Sequence, residues 1–204
     1  MRLFDKIFGR QTKIKNDYKE LPILWEDDYC QIEIVPRRNI KNIISSTDII
    51  ENFTKKAGTD YGFTDIYMRE ALPFPTINEE LRIDYFENFL TGKGFERAKQ
   101  IRHNGSKIID CSTISLDVFS LPCFNFFYDY ENGFIKNIWI STSNITSEDY
   151  CSKILETLYE IGESNDLVLI DRNCSNLIDL TDRKQIKDYL VLYFRKLVDV
   201  LPAD

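Results

Sequence analysis

The stretch CFNFFYDYENGFIKNIWI, from Cys123 to Ile140, decides the fold. Two aromatic-rich alternating runs flank Asn132–Gly133, the dipeptide best suited to the two positive φ angles of a type I′ turn. A β-hairpin is therefore predicted. Successive strand side chains point to opposite sides, so Phe124, Phe126, Tyr128 and Tyr130 share one face of the first strand, and Ile135, Asn137 and Trp139 share a face of the second. An aromatic ladder of this kind reads as sheet core rather than as a binding platform.

Working outward towards the C-terminus, Thr146 is placed to cap a helix, with Asp149 three residues on. Tyr150, Ile154, Leu158 and Ile161 give that helix its apolar stripe, and Gly162 is read as its stop. A second hairpin follows, with the apolar run LVLI inside Asp166–Asp171, a turn at Arg172–Ser175 and a return over Asn176–Leu180. The last helix starts at Asp182, with Gln185 in the reciprocal capping position, and buries Ile186, Leu190, Tyr193, Phe194 and Leu197.

Towards the N-terminus, GFERAKQIRHNGSKIIDCSTISL reads as a hairpin turning at Asn104–Gly105, preceded by a short helix over Asp84–Leu90. A strand is expected from Phe63 to Arg69, then a loop bounded by Pro73 and Pro75. Earlier still, LPILWED and YCQIEIV read as strands, the second alternating Cys30, Ile32 and Ile34 with Gln31 and Glu33, one face buried and one polar. Pro36 ends it, and Ile40, Ile43, Ile44, Ile50 and Phe53 fall at mostly helical spacing. Ser45–Ser46–Thr47–Asp48 offers a break or a new cap in that helix, and Gly58 a stop. Strands arriving in hairpins separated by helices define an α+β class, a mainly antiparallel sheet with helices packed on one face, in preference to a doubly wound parallel sheet.

A chain of 204 residues can bury its own core. The expected organisation is a single domain over residues 21–204 behind a peripheral segment, 1–20. In that segment Leu3, Phe4, Ile7 and Phe8 form one face of a two-turn helix, read as docked on its own domain rather than on a membrane surface. With 14 Phe and 11 Tyr against 8 Gly, the composition argues against disorder. Five scattered cysteines without a C-x-x-C pair suggest neither a disulfide framework nor a zinc knuckle and point to a reducing cytoplasm. No secretory signal or membrane-spanning stretch is read.

The net charge of −7 is uneven: residues 1–20 carry +3 and the remaining 184 carry −10. An acidic body repels phosphate backbones, which disfavours nucleic acid, and attracts a basic protein. The common phosphate, dinucleotide, zinc, acyl-transfer and calcium motifs are missing. His103 is the one histidine. A Cys111–His103 pair across the hairpin can be drawn, although a strand cysteine ordinarily packs and a turn histidine is ordinarily solvated. Glu26–Asp27–Asp28 is the densest acidic cluster. It admits three readings: a solvated turn, a carboxylate pair for acid–base or metal chemistry, and, flanked by Trp25 and Tyr29, a protein-recognition surface. No catalytic residue, metal ligand or cofactor is assigned.

In the passages WEDDYCQIEI and NFFYDYENGFIKNIWI, and in its acidic, aromatic-rich character, the chain resembles immunity proteins of bacterial toxin systems. That resemblance implies a cytoplasmic protein that occludes a cognate, basic toxin with an acidic, aromatic-containing face. The expected partner-binding residues are Trp25, Glu26, Asp27, Asp28 and Tyr29. The alternatives are an enzyme using carboxylates or Cys111 in a cleft, and an adaptor or subunit of a larger assembly.

Overall fold

Asn132 and Gly133 take φ angles of 53° and 84°, closing the predicted hairpin in the computed structural model, which describes residues 21–59, 62–65, 70–114, 116–143, 145 and 147–195. In chain order the elements are β1 (Ile23–Leu24), β2 (Ile32–Pro36), α1 (Ile40–Ala57), β3 (Gly58–Thr59), β4 (Gly62–Phe63), α2 (Ile83–Gly92), β5 (Glu96–Arg97) and β6 (Gln100–His103). They continue with β7 (Lys107–Asp110), β8 (Asp117–Leu121), β9 (Phe124–Glu131), β10 (Phe134–Thr142), α3 (Glu148–Asn165), β11 (Leu167–Asp171), β12 (Asn176–Asp179) and α4 (Arg183–Arg195). The protein is α+β. Its main sheet has seven strands in the order β12-β11-β2-β10-β9-β8-β5, antiparallel at every pairing, and a smaller sheet runs β1-β6-β7.

Alternation along β9 sends Phe124, Phe126 and Tyr128 into the main core, where they meet Phe86 and Leu90 of α2, Ile154 and Leu158 of α3, and Ile186 and Leu190 of α4. Each such side chain contributes about 1.5–3 kcal/mol by leaving water. Phe86 meets Tyr128 edge to face with ring centres 5.2 Å apart. The second face of the sheet is also covered. Ile43 of α1 packs there on Val35, Val168 and Ile170, while the small sheet covers Val118, Phe127 and Trp139. Both faces of β2 are therefore buried at Ile34 and Val35, and the expected polar face is reduced to Glu33, which is paired with Arg172 at 2.9 Å.

Several expectations need correction. A bulge between Ile135 and Asn137 turns Ile135 into the main core beside Ile138 and Ile140, leaving Trp139 on the opposite face. Tyr130, at the end of the ladder, is exposed. LPILWED pairs only at Ile23–Leu24, then winds into a 3-10 turn over Glu26–Asp28. Cys30 takes φ 52° and precedes β2 instead of alternating within it. Helix α1 passes unbroken through Ser45–Asp48, where the Ser46 and Thr47 hydroxyls turn back to donate to the Ile43 carbonyl rather than capping a new helix. Gly162 does not end α3, which runs to Asn165 and is followed by Asp166 in the left-handed conformation. The peripheral segment 1–20, residues 66–69 of the strand expected over Phe63–Arg69, the Thr146 cap, Leu197 and the side chains of Tyr193 and Phe194 lie outside the described residues.

Arg37 joins β2 to the far end of the chain. Its guanidinium donates to both carboxylate oxygens of Asp179, at 2.7 and 2.5 Å, and to Asp166 at 2.6 Å. This fork holds the Asp179 carboxyl below the usual carboxylate range. A carboxyl depressed in the folded state stabilises above its unfolded value, 3.8, and that contribution is lost as the pH falls through the folded value. Asp179→Asn is expected to cost about 1–2 kcal/mol at neutral pH, allowing for solvent screening. In urea titrations it should also weaken the dependence of stability on pH below 4, roughly the unfolded carboxyl value.

Candidate functional site

Trp25, Glu26, Asp27, Asp28 and Tyr29 form one tight turn between β1 and β2. The amide of Asp28 donates to the Trp25 carbonyl at 3.0 Å, and that of Tyr29 to the Glu26 carbonyl at 3.3 Å. A 3-10 turn fans its side chains outward, so all five are exposed, Trp25 and Tyr29 each by 48%. Among the described residues none of the three carboxylates is held in an ion pair. The arrangement sets three exposed carboxylates between two half-exposed aromatic rings.

The rings are positioned by distant parts of the chain. Trp25 lies over the turn of the β6–β7 hairpin, where a Cβ on Gly105 would come within 2.7 Å of the indole. The same turn accepts the Glu26 amide on the Asn104 side-chain oxygen at 3.0 Å. Gly105 also has φ 74°, so Gly105→Ala should both strain the turn and push the indole aside. A change in the fluorescence of Trp25, with Trp139 undisturbed in the core, is the expected reading.

Tyr29 stands edge-on to Trp139, ring centres 4.7 Å apart. Its hydroxyl donates to Asp129 at 3.2 Å, and Asn137 donates to both Asp129 oxygens at 2.9 and 3.0 Å. Burial, with Cys30 and the Asp129 charge, raises the Tyr29 phenol well above its ordinary value. Burial and the Glu33 carboxylate push the adjacent Cys30 thiol up to about 12. Both therefore stay protonated at neutral pH, Tyr29 as a hydrogen-bond donor and Cys30 as a neutral thiol with no nucleophilic thiolate.

Beside Tyr29 runs a groove of about 360 Å³ lined by Ile114, Leu116, Asp129, Tyr130, Lys136 and Trp139. At Leu116 and Tyr130 it adjoins a second, of about 600 Å³, reaching Asp110 and Cys111. Tyr29, Tyr130 and Ile114 are exposed apolar groups along this path. Sequence periodicity assigned Tyr130 to the core and gave no role to Asp129. Only their position at the mouth of the hairpin, opposite Tyr29, brings them into the same surface.

The remaining candidates separate. Strand register pairs His103 with Lys107, whereas the Cys111 amide donates to Lys99 at the other end of the hairpin. Four residues of strand, roughly 13 Å, thus keep Cys111 from His103. Cys111 is buried and its thiol is raised, first by burial and then by Asp117. Asp117 is itself held by Arg97. Among the described residues no group of three or more His, Cys, Asp or Glu side chains is placed to hold a metal ion. None of the described helices is long and apolar enough to cross a membrane.

Compared with protein-family models, with curated proteins and with solved structures, the chain matches none.

Proposed function

We propose that the protein is a protein-binding module that engages a basic partner through the Trp25–Tyr29 turn and the groove beside it. The observation that carries this reading is the turn itself: three exposed carboxylates, in no ion pair among the described residues, held between two half-exposed aromatic rings whose positions are fixed from below. Aromatic groups of this kind supply contact energy when a partner covers them, and surrounding charge steers association and selects the partner. The adjoining groove adds Tyr130 and Asp129, the latter held by Tyr29 and Asn137, with Lys136 beside them.

In its narrower form the proposal is an immunity protein, acting in the bacterial cytoplasm and neutralising a cognate toxin by occlusion. The enzyme reading has less support. Cys111 is buried with a raised thiol and stands apart from His103, and neighbouring carboxylates fanned out on a 3-10 turn have no shared substrate site. The direct test is co-expression. A basic protein that co-purifies with this chain should arrest growth when produced alone and lose that effect when both are produced. A partner whose activity is unchanged in the complex rules out the neutralising role.

A further inference from the structure

At the open edge of the main sheet, beyond β5, lies a cleft of about 600 Å³ that, among the described residues, shares no lining residue with the groove beside Tyr29 and meets the second groove at Arg97, Ala98 and Lys99. Its apolar wall comes from Leu21, Pro22, Leu121 and Pro122, with the ring of Tyr150 from α3. The volume is in the range that encloses a small organic molecule. Against a protein of net charge −7, the charges of the described residues lining this cleft have the opposite balance: Arg97, Lys99 and Lys153 accompany one carboxylate, Glu96.

The cations differ in their commitments. Arg97 is bound to Asp117 and Glu87. Lys99 and Lys153 are exposed and, among the described residues, neither is held by a carboxylate. The Lys153 ammonium lies over Gly94, 3.7 Å from where a Cβ would stand, and the missing side chain leaves the cleft open there.

We propose that this cleft binds a small amphiphilic carboxylate, its anionic head between Lys99 and Lys153 and its hydrocarbon body against Leu21, Leu121, Pro122 and Tyr150. The head needs fixed positive charge, the tail needs the apolar wall, and the cleft supplies both.

Amide chemical-shift titration of the full chain with sodium octanoate tests it, with octanol and acetate as parallel arms. Saturable shifts confined to residues 94–100, 120–122 and 150–153 are expected with octanoate. Octanol, which lacks the charge, and acetate, which lacks the tail, should each bind at least about tenfold more weakly. Lys99→Met with Lys153→Met, both at exposed positions, should weaken octanoate by about tenfold or more. The proposal is overturned if octanoate gives no saturable shift, if octanol or acetate binds as well, or if the lysine variants bind octanoate unchanged.

Discussion

Gly162→Ala should destabilise the protein by about 3 kcal/mol, although the same change in an exposed helix would stabilise it by about 1 kcal/mol. Gly162 is interior to α3, and a Cβ there would stand 2.2 Å from the Leu180 Cβ and 2.7 Å from its carbonyl oxygen. The obstacle is partly backbone, at a completely buried residue just beyond β12, so it cannot swing aside as a side-chain tip would. The helix must instead move away from the sheet, loosening Ile154, Leu158 and Ile161 in the main core. For a chain of this size the melting midpoint should fall on the order of 10 °C. Gly92→Ala is the control. Gly92 ends α2 with nothing within 4 Å of its Cβ position, and its substitution should be neutral or stabilising by a few tenths of a kcal/mol. Equal effects at the two glycines would show that helix propensity, not the close approach of Leu180, sets the cost.

Trp25→Ala should weaken binding of the proposed partner by roughly 30-fold or more, chiefly through faster dissociation, because a half-exposed indole contributes its energy only when covered. Its exposure, 48%, means that folding stability should change little. Asp27→Lys with Asp28→Lys should act on the other rate. Reversing two exposed charges is expected to slow association by about tenfold at low salt and to flatten its dependence on ionic strength, since steering acts through screened, long-range fields. A loss of stability in Trp25→Ala comparable to a core truncation would reassign Trp25 to the packing of the Gly105 turn.

What the sequence made legible follows from which physical constraints are local. The hairpins at Asn104–Gly105 and Asn132–Gly133 were readable because positive φ is a property of two adjacent residues, and both turns adopt it. The cap of α4 was readable for the same reason: Asp182 accepts the Lys184 and Gln185 amides, and the Gln185 side chain returns to it. The role of Gly162 was hidden, since an identical residue signals a helix end in one context and close packing in another. Here the deciding atoms belong to Leu180. The bulge beside Lys136 was equally hidden. A strict two-residue period carries no mark of a register shift, so Ile135 was placed with Trp139 when it faces the opposite way.

The candidate surface divides in the same manner. Exposed acids flanked by aromatics were visible in WEDDY as a run of residue types. The anchoring of Tyr29 by Asp129 and Asn137, about a hundred positions away, depends on β10 lying beside β2 in the sheet, and no local pattern encodes it. The amphiphile cleft was invisible for that reason too: Leu21, Lys99, Ser120 and Lys153 meet only at the sheet edge.

Binding of a basic protein by the Trp25–Tyr29 turn is decided by one capture experiment. The tagged wild-type chain and a variant carrying Trp25→Ala, Asp27→Lys and Asp28→Lys would be used side by side to capture partners from native lysate at moderate salt. A stoichiometric basic protein is expected on the wild type, released at high salt and missing from the variant, with both chains equally folded by circular dichroism. Equal retention of the same protein by both chains, or a wild type that elutes alone, would contradict it.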